Sequence, residues 1–248
     1  MISFMVSVII PAYNCENVLS DAVDSVLKQT LQNLEILIID DCSTDGTLTL
    51  AEELAQNDER IRVIRNEANL GVAMTRNRGI DAASFEWIAF LDSDDIWLPE
   101  KLEKQIECLF QTGADLCYTG YCCVDIDGKE VGKPHNVPTE INWHRMLSEN
   151  VVGCSTALFR KPDELRMRPE YFHEDYVLWL ELMLNDYIFA GVSEVLMKYR
   201  VWDSNRSGNK KNAARNRWLV YRQFLRINVV VAAFYFGVYA VKDLLRRA

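Results

Sequence analysis

The 248-residue chain is poor in histidine (three), proline (six) and glycine (eleven). Its seven cysteines, at 15, 42, 108, 117, 122, 123 and 154, are odd in number and form no Cys-x-x-Cys pair. That excludes a disulfide framework and a zinc site of ordinary spacing, and points to reduced thiols in a cytoplasmic protein. The N-terminus lacks a basic region, and Pro11 breaks the first apolar run, so no signal peptide is expected. No repeat or low-complexity segment is visible. A net charge of −9 argues against a nucleic-acid partner. What remains is ordinary globular composition, 49% hydrophobic and 25% charged, in one large domain or two small ones. A chain this long buries roughly 70–75% of its unfolded surface without staples.

The total charge hides a split. Residues 205–248 hold ten Lys and Arg against one acid, Asp243, which is +9. The other 204 residues hold 17 basic and 35 acidic side chains, which is −18. An acidic body draws divalent cations, and a basic tail draws phosphates or anionic lipid headgroups. Within the tail, residues 227–241 are apolar apart from Asn228 and the tyrosines. Fifteen helical residues span about 22 Å, short of the roughly 30 Å hydrocarbon core. Arg217, Arg222, Arg226, Lys242, Arg246 and Arg247 flank the stretch, and Phe234, Tyr235, Phe236 and Tyr239 stud it. The pattern reads as an amphipathic helix on an anionic membrane surface. The competing reading is a helix against the body or a second subunit, which would allow a homodimer.

The first half alternates strand and helix. Val6 to Ile10, Leu34 to Ile39, Ile61 to Ile64 and Trp87 to Leu91 are short apolar, β-branched-rich runs. Helical spacing occupies Val18 to Leu27, Thr47 to Ala55 and Gly71 to Ala83. Alternation with short connections predicts an α/β fold with a doubly wound, mostly parallel sheet. Ligands bind such sheets beyond the carboxyl ends of the strands. Pro11-Ala-Tyr-Asn14, Asp40-Asp41 and Asp92-Ser-Asp-Asp95 all fall at that edge. The second half is less regular. Helices are expected over 101–112, 143–147 and 176–185, strands over 115–124 and 155–159, a turn at Asp127-Gly128, and loops over 136–140 and 203–211.

Asp92 and Asp94 are two apart on extended backbone, so their carboxylates share a face and can converge on one hard cation, Mg²⁺ or Mn²⁺. A solvated acidic turn is the bland alternative. Asp40 and Asp41 can accept hydrogen bonds from a base or ribose, or form a turn. Asp45 is the better-placed cap for the next helix. Arg76 is either a phosphate partner or a surface helix arginine paired with an acid. Glu174 and Asp175 open a helix, as caps or as a general base. His173 is open between base, metal ligand and packing. His135 and His144 receive no role.

Six segments occur in order: Val6 to Asn14, Ile39 to Thr47, Asn69-Leu-Gly71, Arg76-Asn77, Phe90 to Asp95 and His173-Glu-Asp175. Together they resemble the family 2 glycosyltransferases over about residues 4–205. The resemblance implies a GT-A fold over 1–212, with a nucleotide-sugar-binding half (1–99) and an acceptor half (100–212), followed by the tail (213–248). It implies that Pro11, Ala12 and Tyr13 touch the donor's base and that Asp41 binds the uracil edge. Arg76 would lie near the nucleotide, Asp92 near the ribose and the metal, and Asp94 on the metal. Ser93 and Asp95 would complete the donor site, and Asp175, beside Glu174, would be the catalytic base.

The implied chemistry is direct displacement. A divalent cation offsets charge on the departing nucleoside diphosphate, and a carboxylate takes the acceptor's proton. Displacement inverts the anomeric centre. The Gln-x-x-Arg-Trp motif of processive relatives is absent, since Asn216-Arg-Trp218 has Ala214 in the Gln position. This favours one sugar per encounter, from a UDP-sugar to a glycan on a polyprenyl lipid, in surface-polysaccharide synthesis (O-antigen, capsule or exopolysaccharide) at the inner face of the cell membrane. Two rivals are a polyprenyl-phosphate sugar synthase and a non-catalytic nucleotide-sugar-binding scaffold.

Overall fold

A computed structural model describes residues 4–164, 166–201 and 210–245. One mixed sheet runs through the body. Its first four strands are β1 (Val6–Ala12), β2 (Leu34–Asp40), β3 (Ile61–Arg65) and β4 (Trp87–Phe90). They are parallel, in the order β3-β2-β1-β4, with register Val6 opposite Leu34 and Trp87. Between them lie α1 (Leu19–Leu27), α2 (Thr47–Asn57) and α3 (Val72–Ala82). This is the doubly wound half expected from the alternation. Pro11 does not end β1. It pairs opposite Ile39 and carries the strand to Ala12.

β1 is buried along its whole length and shows why the sheet is covered twice. Val6, Val8, Ile10 and Ala12 join the core that holds Leu19, Ala22, Val23 and Val26 of α1. Ile9 points to the other face, with Ala73 and Ile80 of α3. Successive side chains on a strand alternate faces, so two apolar layers need a nearly continuous apolar strand.

The second half completes the same sheet. Beyond β4 the order is β8 (Leu158–Arg160), β6 (Leu116–Val124), β9 (Phe189–Arg200) and β5 (Ile96–Trp97). β8 is antiparallel to β4 and β6, while β6 and β9 run parallel. An exposed strand, β7 (Glu130–His135), pairs with β6. The helices here are α4 (Lys101–Thr112), α5 (Trp143–Ser148) and α6 (Glu174–Leu184). Two expectations need correction. The strand expected over 155–159 is a 3₁₀ turn, Cys154–Thr156, followed by β8. β7 and the twelve-residue β9 are not among the strands expected from the sequence pattern.

The tail folds as α7 (Lys210–Leu219), a π-helical turn (Val220–Phe224) and α8 (Val229–Leu245). Most of the loop expected over 203–211 lies outside the described residues. Val220, Tyr221 and Ala232 are fully buried in the core of the α3/α6 face. Val230, Phe234, Val241 and Leu244 on α8 are exposed. Among the described residues, no helix is long and apolar enough to cross a membrane.

Candidate active site

Two cavities open at the carboxyl edge of the parallel strands. The first, about 480 Å³, is lined by Pro11, Ala12, Tyr13, Asp41, the 69–73 segment, Asp92 and Ser93, with Glu174 at its inner end. The second, about 430 Å³, is lined by Arg76, Asp92, Asp94, Asp95, Cys154, Ser155, Glu174 and Asp175, with Tyr121 and Tyr199 among its aromatics. Asp92 and Glu174 belong to both walls, so the cavities adjoin there. Every donor, metal and base residue implied by the resemblance lines one or both, whereas Asp40 lines neither: it is fully buried and paired with Arg65 at 3.6 Å.

Asp41 sits just past β2 and does two jobs at once. It is buried, and its carboxylate accepts from Asn66 Nδ2 (2.7 Å), Leu70 N (2.9 Å) and Gly71 N (2.8 Å). It therefore fixes the Asn69-Leu-Gly segment as a wall of the first cavity. Gly71 has φ +82°, a left-handed value that glycine adopts without strain, and it opens α3. Tyr13 and Leu70, each 49% exposed, present apolar surface at that cavity. Asp45 accepts from Thr47 N (3.0 Å), although Gly46 occupies the cap position of α2.

Arg76 is neither a surface arginine nor paired with one neighbour. It is 4% exposed, donates through Nη2 to Asp92 and reaches Glu174 Oε1 through Nη1 at 2.8 Å. It thereby joins the end of β4 to the start of α6, across 98 residues of sequence. Burial works against its charge, but the carboxylates of Asp92 and Glu174 outweigh it and push its pKa above the usual value. The buried Glu174 is thus spent on Arg76, while Asp175 on the next position faces the second cavity.

The acids of this cavity differ in environment. Burial first, then the Glu174 charge, push Asp175 up to about 6, with Arg76 acting the other way. Asp95 is nearly fully buried, and its Oδ1 accepts from Arg200 N at 3.3 Å. Burial and the charges of Asp92 and Asp94 push its pKa up strongly. Burial also raises the Cys154 thiol, which keeps it from acting as a thiolate.

The scaffold beneath this wall was invisible in the sequence. Ser155 Oγ accepts from Asp92 N (3.0 Å), and its carbonyl accepts from Trp97 Nε1 (2.8 Å). Gln105 holds the Thr156 carbonyl (2.9 Å), and the fully buried Lys101 donates to Gln105 (2.7 Å) under the Trp97 ring. Burial pushes Lys101 down to about 7. Asn216 of α7 accepts from Phe172 N (2.8 Å), fixing the approach to His173. Apart from the helical i, i+4 pair Lys101–Gln105, these partners lie tens of residues apart, and no local pattern marks them. The exception is the motif fragment Asn216-Arg217-Trp218, whose first two residues pack behind the site, on Phe172 and Tyr176.

Among the described residues, no three His, Cys, Asp or Glu side chains form a ready-made metal cage. Asp92 and Asp94 do not lie on extended strand as expected but in a turn closed by Asp95 N donating to the Asp92 carbonyl (3.0 Å), with Asp92 at the junction and Asp94 on the wall of the second cavity, where both can still offer carboxylate oxygens. That donor set fits a hard cation that keeps most of its coordination for substrate phosphates.

A mostly parallel, doubly wound half-sheet whose carboxyl edge opens into two adjoining cavities, one of them acidic, is the architecture of a nucleotide-binding α/β enzyme. The Glycosyl transferase family 2 model matches residues 7–172, and the chain belongs to that family. It is 35% identical over 245 residues to the putative teichuronic acid biosynthesis glycosyltransferase TuaG of Bacillus subtilis, covering 98% of this chain and 97% of that protein. It is 34% identical to the Escherichia coli enzyme WfgD, a UDP-Glc:alpha-D-GlcNAc-diphosphoundecaprenol beta-1,3-glucosyltransferase, over 100% of this chain and 97% of WfgD. The fold matches that of S. aureus TarS 1-349 in complex with UDP-GlcNAc, with a TM-score of 0.74 and 22% identity, over 98% of this chain and 72% of TarS 1-349.

Proposed function

We propose that this enzyme is an inverting transferase that moves one sugar from a UDP-sugar to a hydroxyl of a lipid-linked glycan during surface-polysaccharide synthesis. The observation that carries the reading is the meeting of two cavities at Asp92 and Glu174, with a carboxylate of raised pKa, Asp175, in the second alone. The first cavity takes the nucleoside: Tyr13 and Leu70 flank the base, and Asp41 holds the loop against which it lies. The junction takes the diphosphate. A divalent cation held there by Asp94 and the adjacent Asp92 would offset the leaving group's charge. The second cavity takes the transferred sugar and the acceptor.

The chain's own residues then have separate tasks. Arg76 fixes Asp92 and Glu174, and so sets where the donor ends and where α6 begins. Asp175 accepts the proton of the attacking hydroxyl. A general base is most effective when its pKa lies near the working pH, and a value of about 6 meets that better than an ordinary aspartate. The names of TuaG and WfgD support the polysaccharide setting, and WfgD's name supports a diphosphate-lipid acceptor. The basic tail and exposed α8 stripe support a peripheral position at the inner face of the cell membrane.

The test is Asp175→Asn. Acceptor-dependent UDP release is expected to fall about 10²–10⁴-fold, the usual contribution of a positioned base. UDP affinity, measured by calorimetry with Mn²⁺, should be unchanged. Normal turnover by the variant would remove Asp175 from the role and the reading with it.

A further inference from the structure

We propose that Tyr121 and Tyr199 form a stacking shelf for the acceptor's pyranose ring. This rests on the reading of the second cavity as the transfer site. The two rings come from adjacent strands, β6 and β9, and stand 6.0 Å apart, edge to face at 64°. Both are half-buried and line the cavity that holds Asp175 and Asp94. His135, from β7, stacks on Tyr121 at 4.6 Å and 14°. The ladder around Tyr121 is distorted on both edges. Against β9 the register slips between Thr119 and Gly120 and again between Gly120 and Cys122. Against β7 it slips between Tyr121 and Cys123. Such irregularities re-aim a side chain and gather beside active sites.

Gly120 makes the distortion possible. A Cβ there would stand 2.9 Å from the carbonyl oxygens of both Glu194 and His135. Three strands therefore converge on a point that only glycine can occupy, immediately before Tyr121. The outcome is a cavity wall that holds aromatic rings and carboxylates together, which suits a pyranose: its C–H face lies on one ring, the other meets its side, and its hydroxyls reach the acids. The donor's nucleoside and diphosphate are matched by the first cavity and the junction. The base belongs to the second cavity, so the hydroxyl it deprotonates must come from a sugar held there.

The experiment measures UDP release by the full chain. Donors are UDP-glucose, UDP-galactose and UDP-N-acetylglucosamine. Acceptors are α-diphosphate-linked monosaccharides on a phenoxyundecyl chain. Tyr121→Ala and Tyr199→Ala should each raise the acceptor KM about tenfold, the effect of losing one buried aromatic contact. Tyr121→Phe and Tyr199→Phe should keep the wild-type value. Acceptor-free hydrolysis of the donor should keep its KM throughout. An unchanged acceptor KM in the alanine variants overturns the shelf alone. An equal rise in the donor KM gives the rings to the transferred sugar and overturns it too. Loss of donor hydrolysis in the alanine variants assigns the tyrosines to the scaffold, which likewise overturns the shelf. A wild type that releases UDP with no acceptor in the set overturns the lipid-linked reading and the shelf with it.

Discussion

Asp175 and Glu174 show how adjacent acids acquire opposite tasks. Glu174 opens α6 and turns inward to Arg76, whereas the partly buried Asp175 lines the second cavity. The pH dependence follows. Asp175 must be ionised to accept a proton, so kcat/KM should rise with pH and level off above an acid limb near 6. Glu174→Gln removes the neighbouring charge that holds Asp175 up, so the limb should move to lower pH. An unmoved limb would assign it to another group. Stability runs the opposite way. The folded pKa lies above the ordinary aspartate value of about 3.9. The folded state therefore binds this proton more tightly, and the associated stability is full below about 4 and lost as pH rises through 6. At pH 7 Asp175→Asn should raise the Tm while it slows turnover, and an unchanged or lower Tm would contradict that. The acids themselves were readable from sequence, because short motifs carried them. Their division of labour was not, because Arg76 reaches Glu174 across 98 residues.

At the scale of elements, legibility followed local periodicity. β1 to β4 and α1 to α3 are short apolar runs and amphipathic stretches with short connections, and they formed as expected. β9 escaped because Phe189–Arg200 mixes buried and exposed positions without strict alternation. It is held by its long pairing with β6 rather than by its own pattern. β7 escaped for a related reason: all six of its residues are exposed, so no apolar face announces it. The packing of α3 on β1 depends on Gly79, where an added Cβ would lie 2.3 Å from Ile9 Cγ2. Ile9 is fully buried between sheet and helix and has nowhere to go. Gly79→Ala should therefore destabilise by about 1–3 kcal/mol, the usual cost of overpacking. The urea midpoint reads this directly. Ile9→Ala in the same chain should make the added methyl harmless, so that the two changes together cost less than their sum. Strict additivity would show that the contact is not the cause.

The whole molecule links its surface helix to its catalytic one. On α8, Ala232 is buried and Tyr235, Phe236 and Tyr239 turn towards the body, while Val230, Phe234, Val241 and Leu244 are 73%, 64%, 58% and 71% exposed. Positions 230, 234, 241 and 244 fall on one side of a helix, so the exposed face is a single apolar stripe. The inward face is tied down. Lys242 reaches Glu149 at 3.3 Å, and the buried Arg217 guanidinium lies between the rings of Tyr239 (4.5 Å) and Tyr176 (4.0 Å). Tyr176 follows Asp175 directly, so one cation–π bridge spans from the tail to the residue beside the proposed base. Body packing and membrane contact compete as readings of the tail's sequence, but two faces of one helix allow both. Exposed apolar side chains contribute little to folding, and Phe234→Glu with Val241→Glu should leave Tm and UDP affinity unchanged. If the stripe meets lipid, the same pair should abolish co-sedimentation with vesicles of phosphatidylglycerol and phosphatidylethanolamine. It should also raise KM for vesicle-borne acceptor without changing KM for a short-chain soluble one, since only the first encounter needs the surface. Undiminished sedimentation would take the membrane away from this face, and a fall in Tm would place the stripe inside a protein contact instead.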